Sequence, residues 1–161
     1  MSSSKLSFMK TKNITDAKNG EPDANQNKDL VRRAVEEIWN KGNYDNLRQF
    51  VSEDFVVHQS ADEKIHGADG IKQFFSDLRK AFPDIRFVIE DQVAEGDRVV
   101  THWTATGTHR GTFKGIPPTG KSLSFTAIDI YRIAKGKVVE CWSKMDELGL
   151  LKQLGVITAA Q

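Results

Sequence analysis

The sequence contains a single cysteine, Cys141, so no internal disulfide can form and a reducing compartment is expected. It also lacks any run of about 18 apolar residues, the length needed to span a bilayer. The N-terminal segment carries lysines and polar residues but no apolar stretch of the kind found in secretory signals. We therefore expect a cytoplasmic protein with no membrane partner.

The sequence has no excess of charge of either sign. Lys and Arg total 23 against 22 Asp and Glu, and no segment gathers a basic stripe that would neutralise a row of phosphates. Nucleic acid is therefore not an expected partner. His58, His66 and His102 lack the spacing of a metal site, and His102 has the opposite strand parity from His109, so we predict no bound metal.

The chain is long enough for one domain. Its 161 residues can bury a core without disulfides. Residues 1–25 are rich in Ser, Lys, Asn and Asp and contain too few apolar residues to offset the entropy lost on ordering. The sequence therefore predicts a flexible tail over 1–25 and one folded domain over 26–157.

Helical spacing of apolar residues dominates the first half of the chain. The predicted elements are a helix from Asp29 to a stop at Gly42, a short helix over 44–51, a strand over 55–58, and a helix from its cap Asp69 to just before Pro83. The first half therefore supplies mainly helices.

Alternation with period two replaces helical spacing after Pro83. One hairpin is predicted over 85–108 with its turn at Gly96-Asp97, and a second over 122–145 with its turn at Lys135-Gly136. A short leucine-rich helix closes the pattern. Long paired strands twist strongly, so we predict an α+β cone: a curved antiparallel or mixed sheet, packed against N-terminal helices and enclosing one pocket.

Residues 115–122 match the letters of a phosphate-binding loop, G-x-x-x-x-G-K-S. That loop works by presenting backbone N–H groups at the start of a helix, whereas Pro117 and Pro118 have no N–H and the residues that follow alternate as a strand. The segment is therefore predicted to be a hairpin loop at the pocket rim rather than a nucleotide site.

Asp129 is the one carboxylate on an otherwise apolar strand face. The other residues of that face are Phe125, Ala127, Tyr131 and Ile133. A half-buried carboxylate needs a reason, and two remain open. One is general acid/base catalysis, for which burial would raise the pKa of Asp129 toward the useful range. The other is a structural hydrogen bond or ion pair between Asp129 and Arg132 or a helix residue.

Other candidate pocket residues follow from strand parity. On the last strand the predicted inward set is Val139, Cys141, Ser143 and Met145. Cys141 is interpreted as a buried structural thiol, and Ser143 as a small lining residue without a nucleophile-elbow pattern.

Two histidines complete the candidate site. His109 shares parity with Trp103, which is expected to line the pocket, so His109 either reaches the pocket mouth or is a satisfied structural histidine. His58 lies at a strand end and is also predicted to border the pocket.

Five short strings resemble the SnoaL-like polyketide cyclase family in content and in order. They are Gly107-Thr-His-Arg-Gly111, Gly115-Ile-Pro-Pro-Thr-Gly120, Ile128-Asp-Ile-Tyr-Arg132, Gly136-Lys-Val-Val-Glu140 and the ending Gly149-Leu-Leu-Lys-Gln-Leu-Gly155. The resemblance covers roughly residues 30–155. It implies the cone-shaped nuclear-transport-factor-2-like fold, without cofactor or metal. A homodimer or higher homo-oligomer built through the sheet is also implied, and an outward Trp142 suits such an interface.

The same resemblance suggests a function. In the aromatic polyketide cyclases of this family, an inward aspartate on the last strand acts as acid/base in an aldol ring closure, helped by a histidine one strand earlier. Those places hold Ser143 and Asp129 here. We expect a cofactor-independent cyclase, isomerase or lyase acting on a small carbonyl compound, with Asp129 as proton acceptor and His109 or Tyr131 stabilising an enolate. The alternative is a non-catalytic domain that binds a small apolar molecule.

Overall fold

A computed structural model describes residues 23–60 and 63–157 of the chain. The helices are α1 (Ala24–Ala34), continued by a π-helical turn (Val35–Asn40), then a 3₁₀ turn (Tyr44–Asn46), α2 (Leu47–Phe50), α3 (Gly67–Ala81) and α4 (Glu147–Leu154). The strands are β1 (Val51–His58), β2 (Lys64–His66), β3 (Arg86–Glu95), β4 (Arg98–Thr108), β5 (Ser122–Ala134) and β6 (Lys137–Met145).

The six strands form one sheet in the order β2-β1-β6-β5-β4-β3. Strand β1 pairs with β6 in parallel, and every other pair is antiparallel, so the sheet is mixed. The sheet is not closed into a barrel. The predicted α+β class and both predicted hairpins, with turns at 96–97 and 135–136, are confirmed.

The boundaries of the N-terminal elements differ from those predicted. Helix α1 starts at Ala24, because the Asp23 carboxylate accepts the Asn25 N–H as an N-cap before the apolar periodicity begins. Helix α3 starts at Gly67, so Asp69 lies within its first turn and does not cap it. Strand β1 starts at Val51, and the short β2 was not predicted. Most of the predicted tail, residues 1–22, lies outside the described residues.

One face of the sheet packs against α1 and α3, and the core lies between them. Along β5 the inward residues are buried and the outward ones largely exposed, as the period-two pattern predicts. Aromatic rings meet edge to face at the centre of this layer: Trp39 with Phe87 and Trp103, and Trp103 with Phe125, at centroid distances of 5.1 to 6.1 Å.

The loop from His109 to Lys121 runs directly into β5 and opens no helix. It contains a tight turn in which Lys114 and Gly115 have left-handed backbone angles, bridged by Phe113 and Ile116. The geometry that a phosphate-binding loop needs is therefore missing, as its prolines predict. No helix in the described part of the chain is long and apolar enough to cross a membrane.

Candidate active site

An inner chamber of about 90 Å³ lies between the helices and the face of the sheet that they cover. Its wall is formed mainly by aromatic and aliphatic side chains from α1, the π-helical turn, α3 and strands β1 and β3–β6. Asp129, Tyr131 and Ser143 bring polar oxygen atoms to this wall, and Cys141 brings a thiol. The chamber is therefore an apolar cavity with a few placed polar groups, as ligand sites usually are.

An outer chamber of about 280 Å³ adjoins the inner one. The two share Phe87, Trp103 and Ser143 in their walls. The outer chamber also has charged side chains on its wall, namely Glu63, Lys114, Lys144 and Glu147. A ligand that occupies both chambers would therefore place an apolar end inward and a polar end outward.

Asp129 lies on β5, between Thr101 of β4 and Ser143 of β6. Its side chain is 2% exposed, and its Oδ2 accepts the indole N–H of Trp103 and the hydroxyl of Tyr131, each at 2.8 Å. Its Oδ1 has no hydrogen-bond partner within residues 23–60 and 63–157. The carboxylate forms no ion pair among the described residues; Arg132, one of its expected partners, pairs with Glu140 instead.

This environment raises the pKa of Asp129. Burial is the dominant cause, because it disfavours the charged form, and hydrogen bonds from neutral donors oppose it only in part. If one proton is added, it goes to Oδ1, since Oδ2 already accepts two hydrogen bonds. Asp129 therefore brings to the chamber wall a titratable oxygen, Oδ1, that accepts no hydrogen bond from the described residues.

Ser143 lies directly across from Asp129 on β6. Its hydroxyl lies close enough to oppose the effect of burial on the pKa of Asp129 more strongly than Trp103 or Tyr131 does, although the two side chains do not meet in the geometry of a formed hydrogen bond. The hydroxyl borders both chambers. Ser143 is thus placed as a lining residue that can hydrogen-bond a ligand.

The other titratable groups beside Asp129 are neutral. Burial, and then the nearby charge of Asp129, raises the pKa of Tyr131 far above its ordinary value and likewise that of the Cys141 thiol. Cys141 is free and buried, and a protonated thiol of this kind is a poor nucleophile. The interpretation of Cys141 as a structural thiol agrees with these properties.

His109 lies outside both chambers. It is fully buried and packs on the Phe82 ring, and its Nδ1 accepts the backbone N–H of Thr119 at 3.2 Å. Its parity was predicted correctly, but the strand continues past the chamber before His109 is reached, so this side chain supports the loop over 109–121. The structure therefore does not bring His109 to Asp129.

His58 faces the outer side of the sheet. Its neighbour Val57 is buried on the inner face, so the period of two puts His58 on the other face, stacked on Trp142 at 5.3 Å and bonded to Glu140 at 2.8 Å. The prediction that His58 borders the pocket is therefore wrong. Trp103, Tyr131, Cys141 and Ser143 do line the inner chamber, and Met145 lines the outer one.

A bulge in the pairing of β5 and β6 corrects the parity of one further residue. Arg132 pairs with Glu140, but Ile133 pairs with Val138, so the register shifts at Val139. Val138 is therefore buried and lines the inner chamber, whereas Val139 lies outside it.

Sequence reasoning missed the hydrogen bond between Trp103 and Asp129. The register of β4 on β5 places Thr101 opposite Asp129, which makes Trp103 its diagonal neighbour within reach of a long side chain. Both residues had been assigned to the inner face, and an indole N–H buried beside a carboxylate is a signal that pairing the two predicted hairpins would have shown.

No cluster of three or more His, Cys, Asp or Glu side chains suited to a metal ion occurs in residues 23–60 and 63–157.

Residues 29–154 match the family model described as SnoaL-like polyketide cyclase. Among curated proteins, the aklanonic acid methyl ester cyclase DnrD of Streptomyces peucetius is 29% identical over 130 residues, covering 79% of this chain and 89% of that protein. The nogalonic acid methyl ester cyclase of Streptomyces nogalater is 27% identical over 119 residues, covering 73% and 89%.

Solved structures give the same result. AclR of Streptomyces galilaeus, a candidate hydroxylase, superposes with a TM-score of 0.76 at 31% identity, covering 86% of this chain and 87% of that one. A candidate SnoaL-like polyketide cyclase from Jannaschia sp. CCS1 superposes with a TM-score of 0.77 at 27% identity, covering 85% and 96%.

Proposed function

Because the chain belongs to the SnoaL-like polyketide cyclase family, we propose that it is a cofactor-independent enzyme of cyclase type that acts on a small carbonyl compound by acid/base chemistry. One observation carries the proposal. Asp129 is a buried carboxylate on the chamber wall that, among the described residues, has no cationic partner and accepts no hydrogen bond at Oδ1. The curated relatives that act as methyl ester cyclases support the same reaction class.

In the proposed reaction, Oδ1 of Asp129 takes a proton from a carbon next to a carbonyl group. The electron pair of the broken C–H bond forms the enolate, and its negative charge moves to the carbonyl oxygen. For ring closure, the enolate carbon attacks a second carbonyl carbon of the same molecule. The alkoxide formed there takes the proton back from Oδ1, so the enzyme returns to its starting state.

A neutral donor is needed for the enolate oxygen. His109 lies outside the chambers, and the Tyr131 hydroxyl already donates to Asp129, so neither of the donors expected from the sequence fits well. Ser143 is the better choice because it borders both chambers and lies across from Asp129. We assign its hydroxyl to the developing oxyanion.

Proton exchange tests this assignment without knowledge of the natural substrate. Acetophenone carries an apolar ring and a methyl group next to a carbonyl, and exchange of that methyl with D₂O is followed by ¹H NMR. We expect the wild type to accelerate exchange and Asp129→Asn to lose that acceleration by about 10²- to 10⁴-fold. Glu140→Gln, which removes a carboxylate from the opposite sheet face, is the matched control and should exchange at the wild-type rate. Equal exchange by wild type and Asp129→Asn would refute the role of Asp129.

A second candidate function is ligand binding without turnover. The residue that favours it is Ser143, which stands where the resemblance places the catalytic aspartate. In that case acetophenone would bind, as seen by saturation transfer from protein to ligand, yet its methyl protons would exchange no faster than in buffer.

We further propose a homodimer through the outer face of the sheet. Ile128 and Ile130 of β5 and Val93 of β3 are exposed there, and the half-buried Val100 of β4 lies between Ile130 and Val93. Contiguous exposed apolar side chains of this kind favour association. Sedimentation velocity should give a dimer for the wild type and a monomer for Ile130→Lys, whereas a monomeric wild type would contradict the proposal.

A further inference from the structure

The first helix changes its winding along the wall of the inner chamber. After Ala34 it continues as a π-helical turn over Val35–Asn40, and Lys41 donates its N–H to the carbonyl of Glu36 at 3.0 Å, five positions back. Such turns are rare and often occur at functional sites. The residues of this turn that line the chamber are Val35, Ile38 and Trp39.

The end of the π-helical turn is fixed to two neighbouring elements. The Asn40 side chain accepts the Phe87 N–H at 2.8 Å and donates to the Phe87 carbonyl at 3.0 Å, so it is held to β3 from both sides. The Arg79 guanidinium of α3 donates to the backbone carbonyls of Trp39 and Asn40. The backbone of Trp39 is thereby held against both α3 and β3.

The Trp39 ring uses this fixed position to press on Trp103. Their centroids are 5.6 Å apart with an interplanar angle of 80°, an edge-to-face contact. Phe87 makes a second edge contact with Trp103 at 5.4 Å. Trp103 in turn donates its indole N–H to Asp129 Oδ2 at 2.8 Å. A continuous set of contacts therefore leads from the π-helical turn to the carboxylate.

We propose that Trp39 is a positioning residue, which through its edge contact holds the Trp103 indole N–H on Asp129 Oδ2 and so leaves Oδ1 as the oxygen that exchanges protons with a substrate. This inference rests on the proposed function for its meaning but concerns a bond that exists without substrate. Packing alone would give Trp39 a different role, that of filling space. The two roles predict different spectra and opposite changes in the acidity of Asp129.

The indole N–H signals test the position of Trp103 directly. The sequence has three tryptophans, so a ¹⁵N-¹H spectrum shows three indole signals, each assigned by one variant. In Trp39→Leu we expect the Trp103 signal to move upfield and its N–H to exchange with D₂O at least about tenfold faster, because the bond to Asp129 is weakened. Trp39→Phe retains an aromatic edge and should leave both properties close to wild type.

The acidity of Asp129 separates positioning from space filling. In wild type the Trp103 bond favours the charged carboxylate, so its loss lowers the acid dissociation constant, by about threefold or more if the bond has the usual strength. Water admitted into a vacated space does the opposite, because it relieves desolvation. Titration of the ¹³C-labelled carboxyl of Asp129 by NMR should therefore show a weaker acid in Trp39→Leu.

Phe55→Leu is the matched control, since Phe55 lines the same chamber but makes no ring contact with Trp103 among the described residues. It should leave the Trp103 signal unchanged and shift the Asp129 titration little or toward stronger acidity. A stronger acid in Trp39→Leu, or an unmoved Trp103 signal, would overturn the proposal. Failure of acetophenone exchange in wild type would refute the proposed function and leave these spectra interpretable.

Discussion

Asp129 and Glu140 lie on adjacent strands of one sheet, yet their pKa values are shifted in opposite directions from the ordinary values of carboxyl groups. Asp129 faces the chamber and accepts hydrogen bonds from two neutral donors, and burial raises its pKa. Glu140 faces outward, where the hydrogen bond from His58 and then those from Arg132 lower its pKa. The comparison shows that the face on which a carboxylate lies sets its pKa, because the two faces differ in exposure to water and in the charged side chains nearby.

The two faces differ because, in the part of the chain that the structure describes, a guanidinium and a histidine ring reach only one of these carboxylates. Arg132 lies opposite Glu140 in the register of β5 and β6, and His58 comes from the parallel strand β1 on the other side. On the same face, the Arg98 guanidinium lies 4.8 Å from the centre of the Trp142 ring. The outer face thus has paired charges around an aromatic ring, which is an arrangement for stability or association rather than proton transfer.

The largest expected difference between the faces concerns their tryptophans. Trp103 is 5% exposed and holds Asp129, whereas Trp142 is only half-buried. We predict that Trp103→Ala lowers the free energy of unfolding by about 3–5 kcal/mol, from the cavity and the lost hydrogen bond. Trp142→Ala should cost about 1 kcal/mol. Urea unfolding at one protein concentration measures both, and similar losses would show that the faces are not energetically distinct.

The next effect appears in the pH dependence of stability. A raised folded-state pKa stabilises the protein below the unfolded value of about 4, and that contribution is lost as the pH rises through the folded pKa. Wild type should therefore lose about 1.4 kcal/mol per pH unit relative to Asp129→Asn within that interval. Urea midpoints measured from pH 4 to about 9 test this, and parallel curves would contradict a raised pKa.

The smallest effect is expected for Glu140, with the opposite sign. A lowered pKa stabilises the protein above the unfolded value of about 4.3, and this contribution is lost as the pH falls through the folded pKa. Glu140→Gln should flatten the acid side of the stability curve by less than about 1 kcal/mol, because the pair is partly exposed. A loss that persists unchanged at pH 2 would assign the effect to packing instead of charge.

The sheet could be predicted from the sequence because its evidence is local. Alternation along β5 placed Asp129 and Tyr131 inside, and turn residues located both hairpins. Bulges and register are decided between strands, so the misplacement of Val139 could not be avoided by reading one strand alone. The same limit hid the bond from Trp103, whose partner lies 26 positions away.

The histidines show a second limit of pattern reasoning. His58 was misassigned because a strand end gives no information on face until the parity of its buried neighbour Val57 is fixed. His109 has the inward parity, but only the path of the loop over 109–121 shows that Thr119 and Phe82 occupy its surroundings. The π-helical turn left no trace in the periodicity, because Val35 and Ile38 fit a regular helix equally well.

The rate at which Cys141 is labelled can report on access to the inner chamber. Cys141 is the single thiol of the sequence, it lies between Val57 and Tyr131 in the middle of the sheet, and it is 3% exposed. A thiol reagent that labels it under native conditions must arrive through the inner chamber or while the strands or the helices over them separate, so the labelling rate measures access to the chamber. A molecule that occupies the inner chamber should slow the labelling of Cys141. The labelling rate can therefore be used to search for ligands before any reaction is known.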